Sequence, residues 1–437
     1  MKGGGGQNSF ESIFYLREKK KEQEVDVMKK IVVLMLIILF LLVSTVVAGA
    51  QESIKIGALF SLTGALAPYG PPIVNGAKLA VEQINKSGGI FGRKLKLIIR
   101  DTATAPAVGR DAASKLINLD KVVAIIGALS SGDTVASSSI TIPAGILLIS
   151  PASTSPMLTD LDDNDFVFRT CVSDALQGVV QGKLALNLGY KTAAVIYVNN
   201  PYGKGLADVF KKRYEAGGGK VVAMVPYEEN KPSYRGEVEK AIAGNPDVIN
   251  LIGYPVDGNK MLVESVELGY SGDYIFSDGM KGEAVAGGPA AKYIEGTFGT
   301  APGSLEVAVA EDFERDYKKA FGSSTVPFRA QCYDALALIA LAIQKEGPSF
   351  LNMSQREQAK AIRDNLRSVA NPPGVKVTYN EFSKAFELLS KGEDINYQGV
   401  SGPITFDKNG DVMEGAIEIW QNFKGKARTI WIVKVGA

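Results

Sequence analysis

From Ser53 onward, short runs of β-branched and aliphatic residues alternate with stretches in which apolar positions recur at helical spacing. The runs Ile54–Phe60, Lys94–Asp101 and Val122–Ala128 read as strands, with Gly76–Asn85 and Ala107–Leu119 as the helices between them. Such alternation predicts a parallel sheet with helices on both faces, because each parallel crossover must pass over the sheet. Beyond Phe168-Arg169-Thr170 the pattern starts again. Helices are expected over Leu176–Leu188, Leu206–Glu215 and Glu237–Ala243, and strands over Ala193–Val198, Val221–Val225 and Val248–Ile252. The punctuation repeats too. One helix ends at Gly88-Gly89 before the strand from Lys94, another at Gly217-Gly218-Gly219 before the strand from Val221, as helix C-caps require.

The pattern turns mostly helical from Val307 to Glu346, clearest over Glu311–Phe321 and Tyr333–Gln344. A further helix at Gln355–Ser368 is broken by Pro372-Pro373-Gly374. The chain closes on two strands, Ile417–Trp420 and Thr429–Val433, around a turn at Asn422–Lys426. No low-complexity linker separates the halves. The expectation is therefore an α/β fold of two similar, doubly wound parallel-sheet lobes that exchange chain segments, with a natural cleft between them. The pattern assigns no function to Gly347–Gln398.

Composition narrows the chemistry. The 437 residues, 46% hydrophobic, suffice for two cores, since single cores stop growing near about 250–300 residues. Lys plus Arg (48) against Asp plus Glu (47) leaves +1, which gives no field to hold a polyanion, so nucleic acid is excluded as a partner. The absence of His removes the usual general base and every His-containing metal site. Gly203-Lys204-Gly205-Leu206-Ala207-Asp208 lacks the third glycine of a dinucleotide fingerprint, and neither GxxxxGK[ST] nor GxSxG occurs. No cofactor and no enzymatic activity are expected.

At the N-terminus, Lys29-Lys30 precede the apolar run Ile31–Val43, and Ala48-Gly49-Ala50 follow with the small residues a signal peptidase needs. A signal peptide over residues 28–50, cleaved before Gln51, is expected. The alternative is a retained anchor, since Ile31–Ala50 approaches the roughly 20 residues that span a bilayer. Residues 1–27 show no apolar period and are expected to be disordered, with Met28 as an alternative start.

In open parallel sheets ligands bind beyond the carboxyl ends of the strands, so residues just after each predicted strand are the candidates. Ser130-Ser131-Gly132-Asp133-Thr134 follows Val122–Ala128 as a hydroxyl-rich helix start, and a helix N-terminus leaves N–H donors free for a carboxylate. Pro151-Ala152-Ser153-Thr154 follows Leu147–Ser150; Tyr202, Tyr254 and Asp278 follow later strands. Individually these are ordinary caps and packing residues. Together they supply donors for a carboxylate, a carboxylate for an ammonium and aromatic walls for a side chain, the inventory of an α-amino-acid pocket.

At these residues the chain resembles the Leu/Ile/Val-binding family of periplasmic proteins serving ABC transporters, which has the type I periplasmic binding protein fold. The resemblance rests on the order of Ile56-Gly57 through Gly64, Asn85-Lys86-Ser87-Gly88-Gly89-Ile90, Ile126–Ser131, Ile149–Thr154, Phe168-Arg169-Thr170 with Ser173-Asp174, Tyr202-Gly203-Lys204-Gly205, Tyr333-Asp334-Ala335 and Gly402–Asp407. It implies lobe 1 at 51–171 and 301–411, lobe 2 at 172–300 and 412–437, and three hinge crossings near Cys171–Ser173, Gly299–Ala301 and Asp411–Gly415. It also implies an exported, monomeric protein at the periplasmic or extracellular face, anchored there if the apolar segment is retained. Such a protein closes on an amino acid, branched-chain or otherwise apolar, and delivers it to a membrane permease. Ser131 and Thr154 would hold the ligand carboxylate, while the Ala152 carbonyl and Asp278 would hold its ammonium. Tyr202 and Tyr254 would close over it, and Tyr69 would line the side-chain pocket. Asp278 is one methylene shorter than the Glu of some members, which leaves ligand size open. A sensor module of the same fold, or a binder of amides or aromatic acids, is the alternative. For an exported chain, Cys171 and Cys332 are either one disulfide or two buried thiols.

Overall fold

The computed structural model describes residues 7–46, 52–305 and 309–436, in two units, Met1–Glu52 and Ser53–Ala437. In the first unit, α1 (Gln7–Val46) is one continuous helix whose side chains are exposed from Phe14 to Leu36. Over Gln7–Val27 this replaces the expected disorder with helix, while residues 1–6 lie outside the described residues. The Lys, Glu, Gln and Arg of this stretch are strong helix formers, and Lys30 pairs with Asp26 one turn earlier at 2.9 Å. Local propensity thus forms a helix without an apolar period. Among the described residues no helix is long and apolar enough to cross a membrane, and the expected cleavage point at residues 48–51 lies outside them.

The second unit opens with β1 (Ile54–Phe60), α2 (Gly70–Lys86), β2 (Leu95–Asp101), α3 (Pro106–Asn118), β3 (Ile125–Ile126), α4 (Ser131–Ala144), β4 (Leu148–Ser150) and β5 (Val167–Arg169). The scheme repeats through α5 (Asp174–Asn187), β6 (Thr192–Val198), α6 (Pro201–Ala216), β7 (Lys220–Tyr227), α7 (Arg235–Ile242), β8 (Val248–Ile252), α8 (Pro255–Glu267), β9 (Asp273–Phe276), α9 (Glu283–Ala286) and β10 (Phe298–Gly303). Then follow α10 (Ala310–Phe321), α11 (Arg329–Glu346), α12 (Gln355–Ala370), β11 (Val375–Val377), α13 (Phe382–Ser390), β12 (Ile395–Gly399) and β13 (Gly402–Pro403). The closing hairpin is β14 (Glu414–Phe423) with β15 (Lys426–Gly436).

The first sheet is wholly parallel, in the order β2-β1-β3-β4-β5. The second, β15-β14-β10-β9-β8-β6-β7, is parallel from β10 to β7, and the antiparallel hairpin caps its β10 edge. Strands covered on both faces read as near-continuous apolar runs. Ile56, Ala58, Leu59 and Phe60 of β1 are accordingly all fully buried. The chain passes from the first sheet to the second between β5 and α5, leaves it after β10 for α10, and returns between β13 and β14.

Two helices start earlier than the apolar period suggested, because proline sits in the first turn: Pro71 and Pro72 in α2 and Pro201 in α6. Proline's fixed φ and missing N–H suit the first helical position, so these residues start helices that the pattern read as loops. Helix α2 lies so close to α11 that a Cβ on Gly76 would sit 2.2 Å from the Arg329 carbonyl oxygen. Only glycine permits that approach. The segment 347–398 supplies α12, α13 and, in β11 and most of β12, two strands of a small sheet that β13 completes. Buried Asp334 of α11 pins its end, accepting from the Tyr397 hydroxyl (2.8 Å) and from the backbone N–H groups of Val400 (2.8 Å) and Ser401 (2.9 Å).

Cys171 and Cys332 are both free and buried, as in the two-thiol alternative. Cys171 follows β5 and lies 3.6 Å from the Ser153 carbonyl oxygen, while Cys332 is enclosed in the first turn of α11. Burial pushes both thiols upward, so neither ionises readily.

Candidate ligand-binding site

The carboxyl ends of β3 and β4 build one wall of a cavity. At β3 the chain turns into α4, whose first residue is Ser131. At β4 it enters the loop 151–155, which the Ser150 hydroxyl organises by donating to the Ala128 carbonyl oxygen (2.6 Å) and accepting from the N–H groups of Ala152 (3.2 Å) and Ser153 (2.9 Å). The guanidinium of Arg169, 1% exposed, clamps the same loop from behind. It donates to the carbonyl oxygens of Thr154 (3.0 Å) and Ser155 (2.8 Å) and forms a two-pronged ion pair with Asp411 (2.6 and 2.8 Å). The loop backbone is thus fixed before any ligand arrives.

The opposite wall comes from the second sheet. Tyr202 follows Pro201 in the first turn of α6, Tyr254 is the N-cap of α8, and Asp278 follows β9. The two tyrosine rings stack with centroids 5.6 Å apart and planes 10° from parallel. The Tyr202 hydroxyl donates to Asp278 Oδ1 (2.8 Å), which also receives the Gln177 amide (2.9 Å). The floor is tight: a Cβ on Gly279 would meet the Gly253 carbonyl oxygen at 2.2 Å. Tyr69, at the start of α2, reaches across from the first wall. Its hydroxyl lies 2.8 Å from the Asp278 carbonyl oxygen and 2.5 Å from that of Lys281. Tyr254 spans the gap near Ser130, with 3.4 Å between the two hydroxyls.

Six of the seven residues expected at a site, Tyr69, Ser131, Ala152, Tyr202, Tyr254 and Asp278, line this one cavity. Thr154 does not line it. Its hydroxyl donates to Asp174 Oδ2 at 2.8 Å, so the strand-end position was right for the loop, while a neighbouring carboxylate claims the side chain. The remaining wall is apolar: Leu66, Ile73, Leu129 and Phe328. Leu129 follows a predicted strand directly and was open to the same strand-end rule. Ile73 and Phe328 carry no such signal, because they arrive on α2 and at the start of α11.

Electrostatically the two ends of the cavity differ. Asp278 is 4% exposed, and burial raises its carboxyl to about 6 despite the hydrogen bonds from Tyr202 and Gln177 that favour the charged form. Asp174, fully buried nearby, is pushed well up, first by burial and then by the negative charge of Asp278. At the other end lies the N-terminus of α4, where free N–H groups and the helix dipole favour an anion. Burial there raises Asp133 to about 7, which withholds part of its charge from that spot. Among the described residues no group of His, Cys, Asp and Glu could hold a metal ion.

A periplasmic binding protein family model matches residues 53–421. The chain belongs to this family. It is 29% identical over 363 residues to the chemotactic signal transduction system substrate-binding protein BasB of Halobacterium salinarum, covering 81% of this chain and 84% of that protein. It is 30% identical over 341 residues to a Leu/Ile/Val-binding protein of Rhizobium johnstonii, covering 76% of this chain and 89% of that protein. Among solved structures, the branched-chain amino acid transporter substrate-binding protein LivJ of Streptococcus pneumoniae, in complex with isoleucine, superposes with a TM-score of 0.71 at 25% identity, covering 88% of this chain and all (100%) of that one. The type I periplasmic binding protein fold expected from the sequence is thus the fold of this periplasmic binding protein.

Proposed function

We propose that this protein captures an apolar α-amino acid, of the branched-chain size, outside the cytoplasm and presents it to the membrane permease of an ABC importer. The observation that carries the reading is the polarity of one small cavity. A carboxylate lies at one end, a hydroxyl on a helix N-terminus at the other, and leucines, an isoleucine and aromatic rings lie between. An α-amino acid has the matching charges at matching ends, and its side chain replaces water against the apolar wall. The names of the Rhizobium and Streptococcus relatives support the same ligand class.

On this reading Ser131 and the α4 N-terminus take the ligand carboxylate, while Asp278 and the Ala152 carbonyl take its ammonium. The two lobes, 51–171 with 301–411 and 172–300 with 412–437, close by bending at their three crossings, and ligand contacts made only in the closed form drive that equilibrium. The protein works as a monomer, and binding involves no covalent step, cofactor or catalysis. The likeness to a chemotactic substrate-binding protein favours a second reading, in which the closed form is read by a membrane receptor instead of a permease. Deleting the gene and measuring amino-acid uptake and chemotaxis side by side separates the two.

A thermal-shift screen against the common amino acids, amides and small aromatic acids tests the ligand. A ligand at about 100 times its Kd stabilises by about 2.7 kcal/mol. Shifts confined to leucine, isoleucine, valine and similar residues are expected. A shift with amides or aromatic acids alone would overturn the roles given to Asp278 and Ala152.

A further inference from the structure

Behind Asp278, helix α5 turns a polar face into the interior. Asp174, Gln177 and Gln181 are all fully buried there, at a spacing that puts them on one side of the helix. Apolar residues would be expected at such positions, so each polar group needs a reason. Gln181 has a structural one, since its amide donates to the Phe276 carbonyl oxygen (3.1 Å) and its oxygen accepts from Asn250 (3.1 Å). Gln177 and Asp174 face the site instead. The Gln177 amide donates to Asp278 Oδ1 (2.9 Å) and to the Thr300 carbonyl oxygen (3.1 Å) in β10, one of the strands through which the chain leaves the second sheet. Asp174 Oδ2 accepts from Thr154, in the loop of the opposite wall.

The set has more acceptors than donors. Asp174 Oδ1 and Gln177 Oε1 are buried without a hydrogen-bond partner, and the negative charge of Asp278 disfavours that of Asp174. The cation facing Asp174 is Arg169, whose N–H groups are already directed at Asp411, Thr159 and the carbonyl oxygens of the 153–155 loop. The other titratable neighbours are Tyr69 and Tyr202, which face Asp278, and Cys171; burial holds all three neutral.

We infer that Gln177 and Asp174 are positioning residues of the ammonium subsite: Gln177 fixes the Asp278 carboxylate, and Asp174 shares one proton with Asp278 that an incoming ammonium replaces. The exchange balances as carboxylic acid plus ammonium giving carboxylate paired with ammonium, plus one proton released to solvent. No bond to the ligand forms. The inference rests on the amino-acid reading above and adds to it that binding is proton-linked.

Isothermal titration of the full chain with L-leucine at pH 6, in buffers of small and large ionisation enthalpy, tests it. The expected result is a buffer-dependent heat corresponding to release of up to one proton per leucine. In Asp174→Asn leucine still binds and releases fewer protons than from the unaltered protein; equal release from the two overturns the part given to Asp174. In Gln177→Leu the pH midpoint for leucine binding moves up, because Asp278 loses a donor that favours its charged form, and affinity at pH 6 falls about tenfold. A purely structural role would lower the melting temperature without moving that midpoint. Leucine binding with identical heats in both buffers overturns the shared proton, and an unmoved midpoint in folded Gln177→Leu overturns the role of Gln177. Should either variant fail to fold, judged by circular dichroism, Asp174→Ser and Gln177→Met take their places. If leucine does not bind the unaltered protein at all, the amino-acid reading falls instead.

Discussion

The wall carried by the first sheet offers short groups fixed by their immediate neighbours, whereas the wall carried by the second sheet offers long side chains fixed by one another. Ser150 alone ties together Ala128, Ala152 and Ser153, all within the ends of two adjacent strands. Tyr202, Asp278 and Gln177 come from three separate elements and meet only through their tips. A wall made of backbone and hydroxyls stays in shape when the cleft is open and can receive the ligand first. A wall made of stacked phenols and a buried carboxylate gains most when the ligand completes it. In the proposed function the difference gives reception to one side and retention to the other, a division open to test by substitution.

The largest effect is expected on the retaining side. Asp278→Ala removes the carboxylate proposed to pair with the ligand ammonium, and a charge-assisted hydrogen bond contributes about 1.5–3 kcal/mol, so leucine affinity should fall about 10- to 150-fold at pH 8 with the fold intact. Calorimetry checks it; unchanged affinity would remove Asp278 from the site. On the receiving side, Ser150→Ala leaves the Ala128 carbonyl and the N–H groups of Ala152 and Ser153 without that partner. It should cost about 1–3 kcal/mol of stability and weaken leucine roughly tenfold, mainly through slower association. Stopped-flow binding that shows faster dissociation alone would break the assignment of reception to this wall.

Sequence placed the two walls well and their interior poorly, for one physical reason. The strand-end rule depends only on periodicity and on the parallel sheet, so it reached Ser131, Ala152, Tyr202, Tyr254 and Asp278, each a few residues past a legible strand. It cannot decide which partner a side chain takes. Thr154 was assigned to the ligand and is held by Asp174, a residue from the next helix that only the folded crossing brings alongside. Gln177 and Phe328 escaped for the complementary reason, since one lies on a helix face that read as ordinary core and the other at the start of a helix 50 residues on from Asp278 in number but beside it in the cavity. The N-terminal helix shows the reverse error. Missing apolar periodicity was read as missing structure, although helix propensity needs no apolar stripe.

The two walls should also respond differently to pH. In the proposed function an ammonium pairs with the ionised form of Asp278, whose carboxyl is raised to about 6. Affinity is therefore full above that value and is lost as pH falls through it, by about tenfold per unit once the carboxyl is mostly protonated. The first wall binds through hydroxyls and N–H groups that do not titrate in this range. Association rates, if that wall receives the ligand, should change little between pH 8 and pH 5 while dissociation accelerates. A parallel loss in both rates would mean that Asp278 already acts in the first encounter.

The smallest expected effect belongs to the contact that joins the walls. Tyr69 stands on the receiving side, yet its hydroxyl is directed at the carbonyl oxygens of Asp278 and Lys281 on the retaining side. Tyr69→Phe keeps the ring against the cavity and removes only that bridge. A neutral hydrogen bond contributes about 1 kcal/mol net, so leucine should dissociate about fivefold faster with association unchanged. The ring and the hydroxyl can be separated because they have different surroundings, the ring lining the cavity and the hydroxyl meeting the opposite wall. If Tyr69→Phe binds and releases leucine as the unaltered protein does, closure is held by the ligand alone, and the Tyr69 bridge merely accompanies it.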